Sequence, residues 1–159
     1  MRAHHFHAEL FLPRKREEVF PFFSDAHNLE LITPPWVKFK VLTPRPIPMH
    51  AGALIDYRLR IHGFPLKWQT IIMGWEPPFR FVDEQKRGPY RLWRHTHTFE
   101  EKDGGTLCLD HVEYAVWGGE IIHRLFVRRD VERIFAFRQE ALRKQFMPTQ
   151  GEGPRSGPS

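Results

Sequence analysis

Apolar and polar residues alternate along most of the chain, and the period of that alternation sets the elements. Between residues 4 and 12, Phe6, Ala8, Leu10 and Leu12 share one face, and Pro13 ends the run. Alternate residues of a strand point to the same side, so this is a strand with one face toward a core. Arg16 to Phe23 groups Val19, Phe20, Phe22 and Phe23 and predicts a short helical turn; Ala26 to Ile32 predicts another, stopped by Thr33-Pro34-Pro35. Strands then follow in series. Val37, Phe39 and Val41 mark the first. Ile55, Tyr57, Leu59 and Ile61 alternate with Asp56, Arg58, Arg60 and His62 in the second, and Gly63 and Pro65 make the connection. Leu66, Trp68, Thr70 and Ile72 alternate with Lys67 and Gln69 until Trp75-Glu76-Pro77-Pro78 closes that strand. Phe81, Asp83 and Gln85 share a face within Phe79 to Arg87.

The most informative stretch is Gly88-Pro89-Tyr90-Arg91-Leu92-Trp93-Arg94-His95-Thr96-His97-Thr98-Phe99. Trp93, His95, His97 and Phe99 fall on one face, and Arg94, Thr96 and Thr98 on the other. The charged side reads as solvent-facing, so two imidazoles point inward beside a Trp and a Phe. Asp103-Gly104-Gly105 is a hairpin turn leading to a last strand, Thr106 to Val116.

Gly118-Gly119 separates that strand from a long helix, Glu120 to Phe146. Its apolar residues form two patches, one of Ile122, Leu125 and Phe126, the other of Val127, Val131, Ile134, Ala141 and Leu142. At 3.6 residues per turn the patches are about half a turn apart. A kink, or a short helix ahead of the long one, would reconcile them.

The element order predicts an α+β fold: a curved antiparallel β-sheet wrapped around a long C-terminal α-helix, with two short helices after the first strand. Such curvature lifts the centre of the sheet away from the helix and leaves room for a chamber. At 159 residues, with 14 Phe and an aromatic content of 14 %, the chain is expected to form one domain with a large apolar interior. That domain is expected over residues 1–147. Pro148 to Ser159 has no large apolar residue and reads as a disordered tail.

Cys108 is the single cysteine, which excludes an internal disulfide framework and points to a reducing, cytoplasmic setting. No apolar run approaches the about 18–20 residues of a membrane span, and Met1 to Leu12 has no secretory h-region. The net charge of +5 comes largely from Arg124, Arg128, Arg129, Arg133, Arg138 and Arg143. Asp130, Glu132 and Glu140 interrupt this run, so it reads as a solvated helix face and no nucleic-acid partner is expected.

Two sets of residues carry a family resemblance. The first is Pro13…Glu18-Val19-Phe20-Pro21-Phe22-Phe23-Ser24-Asp25…Asn28-Leu29. The second is Trp75-Glu76-Pro77-Pro78…Phe81-Val82-Asp83-Glu84-Gln85…Gly88-Pro89-Tyr90…Trp93…His95…His97…Phe99. Over about Phe6 to Phe146 the chain resembles the START/SRPBCC superfamily, the helix-grip fold of birch-pollen-allergen-like proteins and polyketide cyclases. The second set resembles a bacterial subgroup of ligand-binding SRPBCC proteins, some attached to nucleotide-sugar epimerase-like domains. No Gly-rich dinucleotide fingerprint is present here. The resemblance implies a fold more strongly than a function, since the superfamily spans carriers, receptors and cyclases.

The residues themselves suggest a chamber with one polar end. Tyr57, Leu59, Trp68, Phe81 and Trp93 read as apolar wall. Asp83, Gln85, His95, His97 and Asp110 fall on inner faces of three successive strands, and Arg138 falls on the core-facing stripe of the long helix. His95 and His97 sit at H-x-H spacing, which allows one metal ion to bridge them, with Asp83 or Asp110 as a third ligand. Hydrogen-bonded pocket histidines are the simpler reading, and neither a metal nor another cofactor is expected. An inward Arg138 could clamp a ligand carboxylate or pair with Asp83 or Asp110. Cys108 reads as an inert buried thiol.

These residues point to binding of a small, largely apolar or aromatic molecule, acidic or phenolic at one end. A cyclase/dehydratase-like enzyme using His95 or His97 as general base is the alternative. A partner-binding module with a collapsed interior is the third.

Overall fold

The computed structural model describes residues 2–146; the expected tail lies outside them. Strand β1 (His4–Leu12) is followed by helix α1 (Arg16–Ser24), a 3-10 turn (Ala26–Asn28) and helix α2 (Leu29–Ile32). A second 3-10 turn (Pro35–Val37) leads to β2 (Lys40–Val41), β3 (Leu54–Ile61), β4 (Phe64–Glu76), β5 (Arg80–Arg87), β6 (Leu92–Lys102) and β7 (Gly105–Ala115). The helical C-terminal part consists of α3 (Gly119–Ile122), a π turn (His123–Val127) and α4 (Arg128–Phe146). Among the described residues no helix is long and apolar enough to cross a membrane.

The seven strands form one antiparallel sheet in the order β1-β7-β6-β5-β4-β3-β2. Sequential hairpins build it from β2 to β7, and β1 returns to pair with β7, His4 facing Tyr114 and Leu12 facing Thr106. Alternation holds strand by strand. In β3, Ile55, Tyr57 and Leu59 are buried while Asp56, Arg58 and Arg60 are exposed. The sheet bends where β4 slips register against β5, between Gln69 and Thr70 and between Ile72 and Gly74; such bulges raise local twist and curvature. Gly105 starts β7 where any Cβ would lie 2.5 Å from the Leu12 carbonyl oxygen, so only glycine permits the close approach of β1.

One expectation needs correction, and another becomes specific. The strand marked by Val37, Phe39 and Val41 shrinks to Lys40–Val41, because Pro35 opens a 3-10 turn and Lys38 ends it at φ 51°. The two apolar patches of the last helix are reconciled as one of the two expected arrangements has it, with the short α3 ahead of the long α4 and a π turn joining them. A π turn at His123–Val127 is wound wider and shifts the phase of everything beyond it. After the shift, Val131, Phe135, Arg138, Leu142 and Phe146 are buried, while Ile122, Leu125 and Phe126 stay on the surface.

That buried stripe joins the helix to the sheet. Leu142 and Phe146 pack with Leu10, Leu12, Phe20, Phe23 and Phe99 at one end. Val131 and Phe135 pack with Val112 and Tyr114 at the other. Between the two clusters the sheet curves away from the helix.

Candidate functional site

A cavity of about 190 Å³ occupies that gap, with far more apolar than polar surface. Drug-sized pockets typically hold about 300–1,000 Å³, so this chamber suits a compact molecule of one or two rings. Tyr57, Leu59, Trp68, Phe81, Asp83, Trp93, His95, His97 and Arg138 all line it. Trp68, Trp93 and Tyr90 form an aromatic corner: the two indoles meet edge-on at 5.5 Å, and Tyr90 lies 5.6 Å from Trp68 and 4.8 Å from Trp93.

The polar end is built by β5, β6, β7 and α4. His97 opposes Phe81 and His95 opposes Asp83 across β5–β6, while His97 opposes Asp110 across β6–β7. The hydrogen bonds run diagonally to this register. His97 donates from Nε2 to Asp83 Oδ2 at 2.6 Å, and His95 from Nε2 to Asp110 Oδ1 at 2.7 Å. The two imidazoles stack at 3.6 Å, and Phe81 stacks on the other face of His97 at 4.0 Å. Arg138 reaches in from the helix, its guanidinium 5.4 Å from the Phe23 ring and 5.8 Å from the Phe135 ring. Its Nη2 stands 3.9 Å from Asp110 Oδ1. That distance is an ion pair without a hydrogen bond.

Protonation follows from these neighbours. Burial, and then His95, push His97 down to about 4, so its ring is neutral near pH 7. Its one proton is on Nε2, facing Asp83, which leaves Nδ1 as a bare acceptor. Burial works to raise Asp83, but the hydrogen bond from His97 and the positive groups around it hold the carboxyl below its ordinary range. Burial likewise opposes ionisation of Asp110, and the Arg138 charge with the His95 hydrogen bond outweighs it. Three buried polar atoms of this cluster have no hydrogen-bond partner among the described residues: His97 Nδ1, Arg138 Nε and Arg138 Nη2. Each unmet buried group costs about 1–3 kcal/mol.

Gln85 does not join the cluster. Its amide donates to the Tyr90 carbonyl at 2.9 Å and accepts from the Tyr90 N–H at 3.0 Å, so it clamps the turn between β5 and β6. Asp110 is in the cluster but behind the wall, bonded to His95 and standing 3.6 Å from His97 Nδ1 and 3.9 Å from Arg138 Nη2. Sequence reasoning missed Tyr90 and Phe135. The turn residues beside Tyr90 masked its inward side chain, and Phe135, four residues beyond Val131 on the stripe that the sequence marks, was passed over for its neighbour Ile134.

Asp83, His95 and His97 each bring a potential metal-ligating atom within 4.8 Å of the others. Both Nε2 atoms already bind carboxylates, so an ion there would have to displace those bonds or use the Nδ1 atoms. Cys108 is buried and its thiol is pushed up to about 12, first by burial and then by Asp110; it is no nucleophile.

Comparison with known folds agrees with this architecture. Ara h 8.0201 superposes with a TM-score of 0.67 at 14 % identity, over 91 % of this chain and 98 % of that one. The di-domain ARO/CYC StfQ from the steffimycin biosynthetic pathway gives a TM-score of 0.69 at 13 % identity, over 91 % of this chain and 50 % of that one. A nucleoside-diphosphate sugar epimerase from Corynebacterium glutamicum gives 0.67 at 25 % identity, over 87 % of this chain but 28 % of that one. No curated protein matches the sequence. The family model described as polyketide cyclase / dehydrase and lipid transport matches residues 12–142, and the chain belongs to that family.

Proposed function

We propose that the protein binds a compact, largely apolar or aromatic molecule whose polar head, a phenol or an acid, sits against His97 and Arg138. The observation that carries this reading is the set of orphaned polar atoms at one end of an apolar chamber. His97 Nδ1 needs a donor; Arg138 Nε and Nη2 need an acceptor. A phenolic hydroxyl or an un-ionised carboxyl group offers both, and a carboxylate offers the acceptor alone. Its ring would lie against the apolar wall, with Trp68, Tyr90 and Trp93 supplying edge and face contacts. Family membership supports binding, and the head-group chemistry rests on this chain's own residues.

A cyclase- or dehydrase-like activity is the second reading. Asp83 fixes the tautomer of His97 and leaves a lone pair on Nδ1, the arrangement of an oriented general base. Lowered basicity works against it, because an imidazole pushed to about 4 is a weak proton acceptor at neutral pH. Binding is therefore the primary reading.

The test is competition for an apolar fluorescent dye by naphthalene, naphthol and naphthoate. The native protein should prefer the two polar-headed compounds by about tenfold or more, the scale of a hydrogen bond to a charged group. Arg138→Met should abolish that preference and keep naphthalene binding. Equal loss for all three compounds would make Arg138 a structural residue, and no preference in the native protein would remove the head-group reading.

A further inference from the structure

The start of the C-terminal helical region inverts the usual burial rule. Over Gly119–Val127, Ile121, Ile122, Leu125 and Phe126 are exposed, and the single buried side chain is His123, at 6 %. The π turn that begins at His123 produces this inversion by rotating the apolar residues outward and the imidazole inward. Nε2 of His123 lies 2.8 Å from the Tyr114 hydroxyl. Nδ1 is buried with no hydrogen-bond partner among the described residues. His4, from the first position of β1, stacks on this ring at 3.5 Å with the planes 10° apart. The Glu120 carboxylate stands at the edge of both rings, Oε2 being 3.8 Å from His4 Nε2 and Oε1 3.8 Å from His123 Nδ1. These separations are too long for hydrogen bonds, and one ligand atom from each residue lies within 4.8 Å of the other two.

We propose that His4, Glu120 and His123 form a binding site for a zinc-type divalent transition-metal ion, apart from the chamber. Two imidazoles and a carboxylate are a donor set suited to such an ion, with the fourth position open to solvent. Ligand atoms about 2.1 Å from a tetrahedral ion lie about 3.4 Å from one another. The two 3.8 Å gaps need to close by only a few tenths of an ångström. The stacked rings must also fan apart so that both lone pairs converge. Tyr114 completes the arrangement: when its hydroxyl accepts the Nε2–H of His123, Nδ1 is left bare, the role that outer partners play for metal-bound histidines. Against the ion stand Arg2 and Arg124, which pair with Glu120 at 3.6 and 3.4 Å. Both are largely exposed and free to swing into solvent. A bound ion would clip the beginning of β1 to the beginning of the helix.

A second group of histidines supplies the control. On the opposite face of β1, His5 Nδ1 lies 3.0 Å from His111 Nε2 and His7 stacks on His111 at 4.4 Å. The experiment titrates the full chain, carrying no affinity tag, with Zn²⁺ by calorimetry and with Co²⁺ by visible absorption, alongside thermal melts. A single saturable equivalent is expected, with a tetrahedral cobalt spectrum and a higher Tm. His4→Ala and Glu120→Gln, both at partly buried positions, should abolish that equivalent and the Tm gain. Tyr114→Phe should weaken binding about tenfold. His111→Ala should change nothing. Absence of binding by the native protein overturns the proposal, and so does an equivalent that survives His4→Ala and Glu120→Gln or disappears in His111→Ala.

Discussion

Arg138 and Asp110 are near enough to neutralise one another yet do not bond: 3.9 Å separates Nη2 from Oδ1. The carboxylate instead takes its hydrogen bond from His95 at 2.7 Å. Arg138 thus supplies charge to the cluster while keeping its donors for another partner. The acid limb of stability tests this. The Arg138 charge is the largest influence lowering Asp110, and a carboxylate with a depressed folded-state pKa contributes stability above its unfolded value that is lost as pH falls through the folded value. Arg138→Met should raise that folded value, so acid unfolding followed by near-UV circular dichroism should begin at a higher pH. An unshifted transition would mean that Arg138 and Asp110 are not coupled.

His97 governs a different pH window. Its folded pKa of about 4 lies below the ordinary 6.5, so the unfolded chain takes up the proton first. Stability is therefore full above about 6.5 and declines as pH falls from there toward about 4, by at most about 3 kcal/mol. Calorimetric Tm values between pH 7.5 and 4.5 should fall in that interval, and His97→Asn should flatten the slope. A native Tm that does not change above pH 5 would contradict a neutral, buried His97.

Two leucines of the C-terminal helical region test its phase. Leu142 is 1 % exposed and Leu125 61 % exposed. Leu142→Ala should cost about 2–5 kcal/mol, and Leu125→Ala less than about 0.5 kcal/mol. Urea denaturation curves measure both. Similar losses would mean that the helix continues without the π turn.

Cys108 offers a test of core closure. With its thiol buried and pushed up to about 12, it should resist a thiol-reactive chromophore at pH 8 and react fully once urea unfolds the chain. Rapid reaction in the native protein would place it on an accessible wall.

Strands were legible in the sequence because period-two alternation with one buried face fits a strand and does not fit a helix. Ile55, Tyr57 and Leu59 are the plainest case. The convergence of His95, His97, Asp83 and Asp110 was legible for the same reason, since all four sit on strands whose faces alternation assigns. Where a local device overrides period, the signal failed. Lys38 in the left-handed region cut short the strand expected at Val37 to Val41. The Gln85 side chain was drawn off the wall by the backbone of Tyr90. The π turn is set by one extra residue per turn, which no composition reveals. His4 and His123 come from opposite ends of the fold, so no spacing rule could join them.

The pairing of β1 with β7 has a consequence for how the chain acquires its structure. The first strand of the sheet to leave the ribosome has as its partner the last strand made. Until β7 is synthesised, Leu10 and Leu12 have no sheet neighbour, and the hairpins from β2 to β6 must form against an incomplete core. Closing such a long loop before the contacts that stabilise it is slow. During synthesis, the exposed β1 face is the segment in most need of protection from aggregation.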